Sequence, residues 1–271
     1  MVSDSNELRP VKPDYQINTE TNMMNNMKTI IRALVPATII SGVAMYAHAQ
    51  YLNGTLDSGF YGTPLATQTI NTGFGDSTVG DGTSAGGSEL DAAYGVVSGG
   101  NLYLFIAGNV EGNTTANHIN IFIDSGQGGQ NTLNLSSGYA SPMNGSVFSP
   151  GFNPNLMLDV NDYQGGLNVE QHILNAGGSV DSYDSFGLTA GIGSQTLGVI
   201  EFGFNNQNVA GVNGNSGTAA SQTLANAVTT GLEMAIPLSL LGNPSGGLKS
   251  LPTSMVTVTI IFPMNSFRDC H

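Results

Sequence analysis

Acidic and amide side chains stand close together in two stretches of the chain. Asp76 and Asp81 bracket the sequence DSTVGD, and Asp159, Asn161 and Asp162 follow one another closely. Carboxylate, amide and carbonyl oxygens on flexible loops are the ligands that Ca²⁺ takes. These five residues are therefore the predicted metal ligands, and Ca²⁺ is the one cofactor considered. Neither stretch matches the EF-hand pattern, and ordinary acidic turns are the favoured alternative.

Three tyrosines carry a second chemical hypothesis. Tyr139, Tyr163 and Tyr183 lie in a Gly-, Asn- and Asp-rich stretch between residues 125 and 190, which predicts ligand-facing loops. Sugar rings stack on aromatic faces that have polar neighbours beside them. The tyrosines are therefore the predicted ligand-binding residues, with an extracellular polysaccharide as the partner. Exposed tyrosine also occurs in loops that bind nothing.

Catalytic patterns are weak. The single cysteine, Cys270, is second from the C-terminus. A glycosidase needs two carboxylates on either side of the scissile bond. Most acidic candidates stand in turn-like contexts: Glu89, Asp159, Asp162, Asp181 and Asp184. Glu233 is expected to face solvent or another polar group of a sheet, and His118 to be solvated. No catalytic residue is predicted, and a glycoside-active enzyme is the outside alternative.

The charge distribution excludes one class of partner. The net charge is −13, and Lys249 and Arg268 are the only basic residues after residue 49. Nucleic-acid binding requires a basic surface that neutralises phosphates, so the sequence excludes it. Anionic membrane surfaces are disfavoured for the same reason. Solubility outside the cell is the favoured explanation of the acidity, and divalent cation binding is the alternative.

Residues 27–49 have the pattern of a signal peptide. Lys28 and Arg32 precede an apolar run over residues 33–46, and Ala47-His48-Ala49 is a small-x-small cleavage site. The run is too short for a stable span, which needs about 20 apolar residues. We therefore expect a secreted or cell-surface protein with no membrane span after cleavage. Residues 1–26 are either a disordered extension or a mis-called start, and residues 50–271 form one domain.

The mature chain has the pattern of an all-β protein. Apolar runs alternate with clusters of Gly, Asn and Ser, as expected for antiparallel strands and turns. The predicted strands are residues 90–97, 101–107, 118–124, 155–160, 168–174, 197–204, 231–236 and 255–262. The only helical candidates are two short segments at 221–228 and 238–241.

Alternation within the strands predicts how they are layered. Residues 101–107 are apolar on both faces, which indicates a central strand covered on both sides. Residues 118–124 place three isoleucines on one face and a polar outer face opposite. Two such sheets packed face to face form an antiparallel β-sandwich with jelly-roll or immunoglobulin-like layering. Long Gly/Asn-rich loops and one or two short helices complete the prediction.

Three segments together resemble a known group of proteins. They are ELDAAYGVVSGGNLYLFIAGNVEG (89–112), HINIFIDSGQGGQN (118–131) and TTGLEMAIPLSLLGNPSG (229–246). Their order resembles the carbohydrate-binding-module-9-like and DOMON-like β-sandwiches, and more closely a group of secreted bacterial proteins of unknown function built on that theme. Many members of that group carry a PEP-CTERM sorting tail. The resemblance implies a β-sandwich over about residues 54–262.

The chain departs from that group in two respects. It has no Trp, which sugar-binding members commonly present, and it ends at NSFRDCH without a sorting tail. We therefore expect a C-terminally truncated sandwich. The sequence favours a non-enzymatic β-sandwich of the cell surface or extracellular matrix, acting through matrix or self-association. The alternative is a carbohydrate-binding module that uses the three tyrosines.

Overall fold

The computed structural model describes residues 31–34, 51–71, 88–110, 117–163, 166–187, 192–208, 210–212, 219–244 and 257–261. Strands dominate this part of the chain. They are β1 (Ile31–Leu34), β2 (Ala66–Thr67), β3 (Glu89–Ser98), β4 (Asn101–Asn109), β5 (His118–Asp124), β6 (Leu156–Tyr163), β7 (Gly166–Asn175), β8 (Gly178–Gly187), β9 (Ile192–Leu197), β10 (Ile200–Asn205), β11 (Gly231–Pro237) and β12 (Thr257–Ile261). The helices in this part are α1 (Ser58–Tyr61), α2 (Gln222–Ala225) and a 3₁₀ turn, Ser141–Met143.

The strands form two six-stranded sheets. The first sheet has the order β1-β12-β5-β6-β7-β8, and the second has the order β2-β3-β4-β11-β10-β9. All hydrogen-bonded neighbours run antiparallel. The predicted all-β, antiparallel sandwich is thereby confirmed. None of the helices in the described residues is long and apolar enough to cross a membrane.

One apolar layer lies between the two sheets. Alternate residues of each strand point into it, because successive side chains of a strand face opposite sides. Its buried side chains include Leu102, Leu104 and Ile106 of β4, Ile119, Ile121 and Ile123 of β5, Leu158 and Val160 of β6, Phe202 and Phe204 of β10, and Leu232 and Met234 of β11. We call this layer the main core.

The outer face of the second sheet is also covered. Phe105 of β4 is fully buried there against Tyr61 of α1, which confirms that β4 is covered on both faces. Glu233 of β11 does not face solvent: it is fully buried, and its carboxylate accepts hydrogen bonds from Tyr61 Oη at 3.0 Å and from Asn53 N at 3.0 Å. This buried carboxylate anchors the segment around α1 on the sheet.

The outer face of the first sheet differs from the prediction. The sequence predicts a polar face open to solvent at β5, but Phe122 on that face is fully buried. The connection between β5 and β6 folds back over the sheet and covers it. Phe122, Met157, Leu174, Leu133, Leu135 and Ala140 form this second apolar cluster. The apolar residues of the connection carry no clear strand or helix period, so their role emerges only in the folded chain.

Each predicted strand segment contains an observed strand, but three differences stand out. The predicted segment 197–204 contains a tight turn, because β9 ends at Leu197 and β10 begins at Ile200. The edge strand β8 is not predicted, since its sequence GSVDSYDSFG is largely polar. The backbone of β1, inside the predicted leader, pairs with β12.

Substitution of a charge into the main core tests the sandwich. Ile121→Asp or Leu104→Asp removes roughly 1.5–3 kcal/mol of apolar burial and adds an unpaired buried carboxylate, so we expect no folded protein. Val180→Asp on β8 is the control, because Val180 is 59% exposed. Circular dichroism and thermal melting check this. A cooperative melt of the Ile121 variant near that of the wild type would contradict the described core.

Candidate functional site

The structure brings Tyr139, Tyr163 and Tyr183 into one region. Tyr139 lies in the connection between β5 and β6, whereas Tyr163 ends β6 and Tyr183 lies on β8. The rings of Tyr139 and Tyr183 make an edge-to-face contact with centroids 5.9 Å apart. Tyr183, and more weakly Tyr163, raises the pKa of the Tyr139 phenol. We call these three residues the tyrosine patch.

The prediction that all three tyrosines stand on loops is therefore wrong in part. Residues 156–163, 166–175 and 178–187 are the consecutive strands β6, β7 and β8 rather than a loop insertion. Two of the tyrosines are consequently held by backbone ladders. All three side chains remain accessible, with exposed fractions of 63% for Tyr139, 45% for Tyr163 and 50% for Tyr183.

Polar side chains occupy the sheet surface beside the tyrosine patch. They stand on the face opposite to the main core, because they alternate with its apolar residues. Three cross-strand rows contribute to this polar face. The first contains His118, Asn161, Asn168 and Ser185, and the second contains Asn120, Asp159, Glu170 and Tyr183. The third row adds His172 opposite Asp181.

A chain of hydrogen bonds connects Tyr183 to a buried carboxylate. Tyr183 Oη donates to Asn168 Oδ1 at 3.0 Å, and Asn168 Nδ2 donates to Asn161 Oδ1 at 2.8 Å. The Asn161 amide nitrogen lies 3.3 Å from the His118 ring, and His118 Nδ1 contacts Asp159 Oδ1 at 2.5 Å. His118 is thus paired with Asp159 rather than solvated, contrary to the prediction.

A second group of polar residues holds Tyr139 by its backbone. The Glu170 carboxylate accepts hydrogen bonds from the backbone N–H groups of Tyr139 at 2.8 Å and Ala140 at 3.4 Å. Gly138 has a positive φ of 105°, and a Cβ there would lie 2.6 Å from Glu170 Oε2. Because only glycine adopts this conformation and leaves room for the carboxylate, Gly138 allows the connection to approach β7 closely.

His172 lies between two carboxylates and is almost completely buried. Its Nδ1 contacts Asp181 Oδ1 at 2.9 Å, and its Nε2 lies 3.4 Å from Glu170 Oε2. Burial by itself lowers the pKa of His172, but the bonds to Glu170 and Asp181 outweigh it and raise that pKa. Burial likewise opposes ionisation of the two carboxylates, yet the hydrogen bonds they accept lower the pKa of Glu170 and of Asp181.

The acidic residues do not occupy turns as predicted. Glu89 begins β3, Asp159 and Asp162 lie in β6, and Asp181 and Asp184 lie in β8. The sequence predicts turns for these residues because acidic and Gly-rich segments favour turns. The sequence NVEQH alternates with a period of two, which indicates a strand. That alternation places Asn168, Glu170 and His172 on one face of β7.

The residues of the predicted calcium site are only partly brought together. Asp159 and Asn161 share the polar face, whereas Asp162 points to the opposite side and accepts a hydrogen bond from Asn206 Nδ2 at 2.9 Å. Asp76 and Asp81 lie outside the described residues. In the described part of the chain, no three His, Cys, Asp or Glu side chains are grouped so as to hold a metal ion.

A separate surface pocket of about 370 Å³ lies on the second sheet. It is lined by Tyr51, Leu52, Ser194, Gln195, Thr196, Glu201 and Phe202. Tyr51 is its one exposed aromatic side chain, at 75% exposure. A single aromatic ring beside one carboxylate is a weaker platform for a ligand than the tyrosine patch.

Comparison of the chain with family models, with curated proteins and with solved structures finds no match.

The charged cluster at His172 predicts a pH-dependent stability. Folding raises the pKa of His172. The contribution of His172 to the free energy of unfolding is therefore complete below a pH of about 6.5, and it is lost as the pH rises through the folded pKa. The lowered pKa values of Glu170 and Asp181 give contributions that are present above their ordinary values, roughly 4, and are lost in acid. The cluster therefore stabilises the fold most between roughly pH 5 and 6.5.

Replacement of His172 tests this sign. We expect His172→Gln to cost about 1–3 kcal/mol at pH 6, because a charge-assisted pair is lost, and less at pH 8.5. Urea unfolding at both pH values measures the difference. Leu174→Ala, a buried apolar change on the same strand, is the control and should cost the same at both. An equal loss for His172→Gln at the two pH values would contradict the charged cluster.

Proposed function

We propose that this protein is a secreted, non-catalytic β-sandwich that binds an extracellular polysaccharide through the tyrosine patch. One observation carries the proposal: the accessible rings of Tyr139 and Tyr183, which are distant in sequence, pack edge to face, and Tyr163 lies on the same face of the first sheet. The family resemblance of the sequence to carbohydrate-binding-module-9-like sandwiches supports the same function. The pattern of residues 27–49 supports secretion.

The tyrosine patch combines the two features that sugar recognition requires. Its rings are accessible apolar surfaces on which a sugar ring can stack. The tyrosine hydroxyls and the part-exposed His118, with 21% of its side chain accessible, supply polar groups beside them. Six other polar side chains of this face are buried, and their role is to hold the patch rather than to contact the sugar: Asn120, Asp159, Asn161, Asn168, Glu170 and His172.

Preorganisation supports binding at this surface. Tyr183 is fixed by its strand and by Asn168, and the backbone of Tyr139 is fixed by Glu170. Rigid aromatic side chains lose little conformational entropy when a ligand binds, so more of the contact energy appears as affinity. The buried positions of Asp159 and Glu170, at 3% and 5% exposure, favour this structural role over catalysis.

Charge narrows the class of ligand. The protein has a net charge of −13, and Asp181 lies two residues from Tyr183 on the same face of β8. A negative surface repels acidic polymers at low ionic strength. The proposed ligand is therefore a neutral polysaccharide rather than a uronic-acid polymer.

Binding is tested with purified protein against cellulose, xylan, β-glucan, starch and alginate by affinity electrophoresis and calorimetry. We expect retention by at least one neutral polymer, none by alginate, and no release of reducing sugar. Tyr139→Ala and Tyr183→Ala should each weaken binding about tenfold, or ~1.4 kcal/mol, through loss of a stacking surface.

Tyr51→Ala is the matched control, since Tyr51 is an exposed tyrosine outside the patch. Binding that depends on Tyr51 alone would place the ligand in the pocket on the second sheet and contradict the proposal. If the protein binds none of these polymers and instead self-associates as its concentration rises, the matrix role is favoured.

Secretion has its own test. Protein recovered from the culture medium should begin at or near Gln50, because Ala47-His48-Ala49 is a small-x-small cleavage site. Amino-terminal sequencing or mass spectrometry checks this, with Ala49→Leu as the variant expected to impair processing. Recovery of cell-retained protein that still contains residues 27–49 would contradict it.

A further inference from the structure

One end of the first sheet is built from the predicted leader. Among the described strands, β12 lies between β1 and β5, and β1 is the end strand of that sheet. Residues Ile31–Leu34 of β1 lie within residues 27–49, which have the signal-peptide pattern. Cleavage after Ala49, as proposed above, removes β1 and leaves β12 (Thr257–Ile261) as the last described strand of the sheet.

The side of β12 that faces β1 accepts an antiparallel strand. β1 pairs with it over four residues, from Ile31 opposite Ile260 to Leu34 opposite Thr257. The backbone N–H and C=O groups that β12 directs to this side lose their partners when the leader is removed. An edge of this kind pairs readily with another extended chain.

β12 lacks the features that keep the other edge strands from pairing. Natural edges are protected by short length, charged side chains or proline. The edge strand β2 has two residues, and β8 contains Asp181 and Asp184. The edge strand β9 is uncharged, but only two of its six residues are β-branched, against all five of β12. Residues 253–262 contain neither a charged residue nor a proline. Since β-branched residues favour strands, β12 is the described edge best suited to pairing.

We propose that the processed protein forms a closed dimer in which β12 of one chain pairs antiparallel with β12 of a second copy. This dimer rests on the proposed secretion, because β1 covers the edge until the leader is cleaved. With Thr259 of both chains on the two-fold axis, Val258 of each chain stands opposite Ile260 of the other, and Thr257 stands opposite Ile261. Cross-strand pairs of threonine and of β-branched residues stabilise a sheet.

Charge favours this edge over other surfaces as the contact between two copies. The chain carries a net charge of −13, so two copies repel each other over most of their surfaces. The uncharged β12 edge brings no further like charges together, and added salt screens the repulsion that remains. Because the same strand pairs with itself about a two-fold axis, the contact closes after two chains.

Pairing at β12 places two tyrosine patches on one surface. The described strands β5 to β8 and β12 of both chains form one continuous ten-stranded sheet, with β8 at each end. The two-fold axis between antiparallel edge strands is perpendicular to the sheet, so both outer faces lie on the same side. At about 4.8 Å per strand spacing, the two β8 strands that carry Tyr183 are roughly 43 Å apart. One long polysaccharide is then able to contact both patches, which raises its apparent affinity.

The oligomeric state of two forms of the wild-type chain tests the dimer. The first form is protein from the culture medium whose sequenced amino terminus is at or near Gln50. The second is the full-length chain produced in the cytoplasm, which keeps residues 27–49 and therefore β1. Size-exclusion chromatography with light scattering should give twice the mass of one chain for the processed form, more fully at higher salt, and the mass of one chain for the full-length form.

A charge on the two-fold axis locates the contact. In the processed chain, Thr259→Lys or Thr259→Glu places two like charges directly opposite each other, and each should raise the Kd of the dimer about tenfold or more. An equimolar mixture of the two variants should restore the dimer, because opposite charges then meet. Val180→Lys on the edge strand β8 is the matched control and should still form the dimer, since Val180 is 59% exposed.

Sugar binding is measured separately from assembly. Tyr183→Ala should keep the dimer while its binding to the polysaccharide weakens. Thr259→Lys should bind the long polymer about tenfold more weakly than the wild type and a short oligosaccharide of the same sugar equally well. Equal affinities of the two proteins for the long polymer would contradict the bivalent use of the dimer.

Three results would overturn the dimer. Processed chains that stay monomeric at every concentration would do so and leave the proposed secretion intact, whereas an amino terminus that retains residues 27–49 would overturn both. A dimer that persists in Thr259→Lys and in Thr259→Glu would place the contact elsewhere. If these variants do not fold, amide hydrogen exchange of the wild type decides: protection of residues 257–261 should rise with protein concentration, and protection independent of concentration would overturn the pairing.

Discussion

The structure depends on the apolar layer between the two sheets. Residues such as Leu104, Ile121 and Phe202 fill it from both sides, and no disulfide is available to support it. Because side chains in a strand alternate, assigning these residues to the core forces their neighbours onto the outer faces. The polar side chains of β5, β6 and β7 that alternate with these core residues therefore lie on the outer face of the first sheet. A shift of one residue in strand register would exchange the two faces and destroy both.

Scarcity of positive charge is the second constraint on this fold. With no Lys or Arg between residues 50 and 248, buried carboxylates must be matched by other means. Glu233 is matched by a tyrosine hydroxyl and backbone N–H groups, and Glu170 by a histidine and backbone N–H groups. Histidine therefore takes the place that lysine or arginine has in most proteins.

In the proposed site, support and recognition are divided between different residues. The buried residues form the support: Asp159 pairs with His118, Asn161 accepts a hydrogen bond from Asn168, and Glu170 accepts one from the backbone N–H of Tyr139. The side chains of Tyr139 and Tyr183 remain accessible. A ligand would therefore meet a surface whose geometry already exists.

The sequence alone determined the fold class and most of the strands, because alternating apolar residues such as Ile119, Ile121 and Ile123 report burial locally. It also identified the three tyrosines as a group. Tertiary structure decided the rest. The connection between β5 and β6 covers the first sheet, and the polar strand β8 pairs at its edge. These are long-range contacts, and nothing in a local pattern records which distant segment will exclude water from a given side chain.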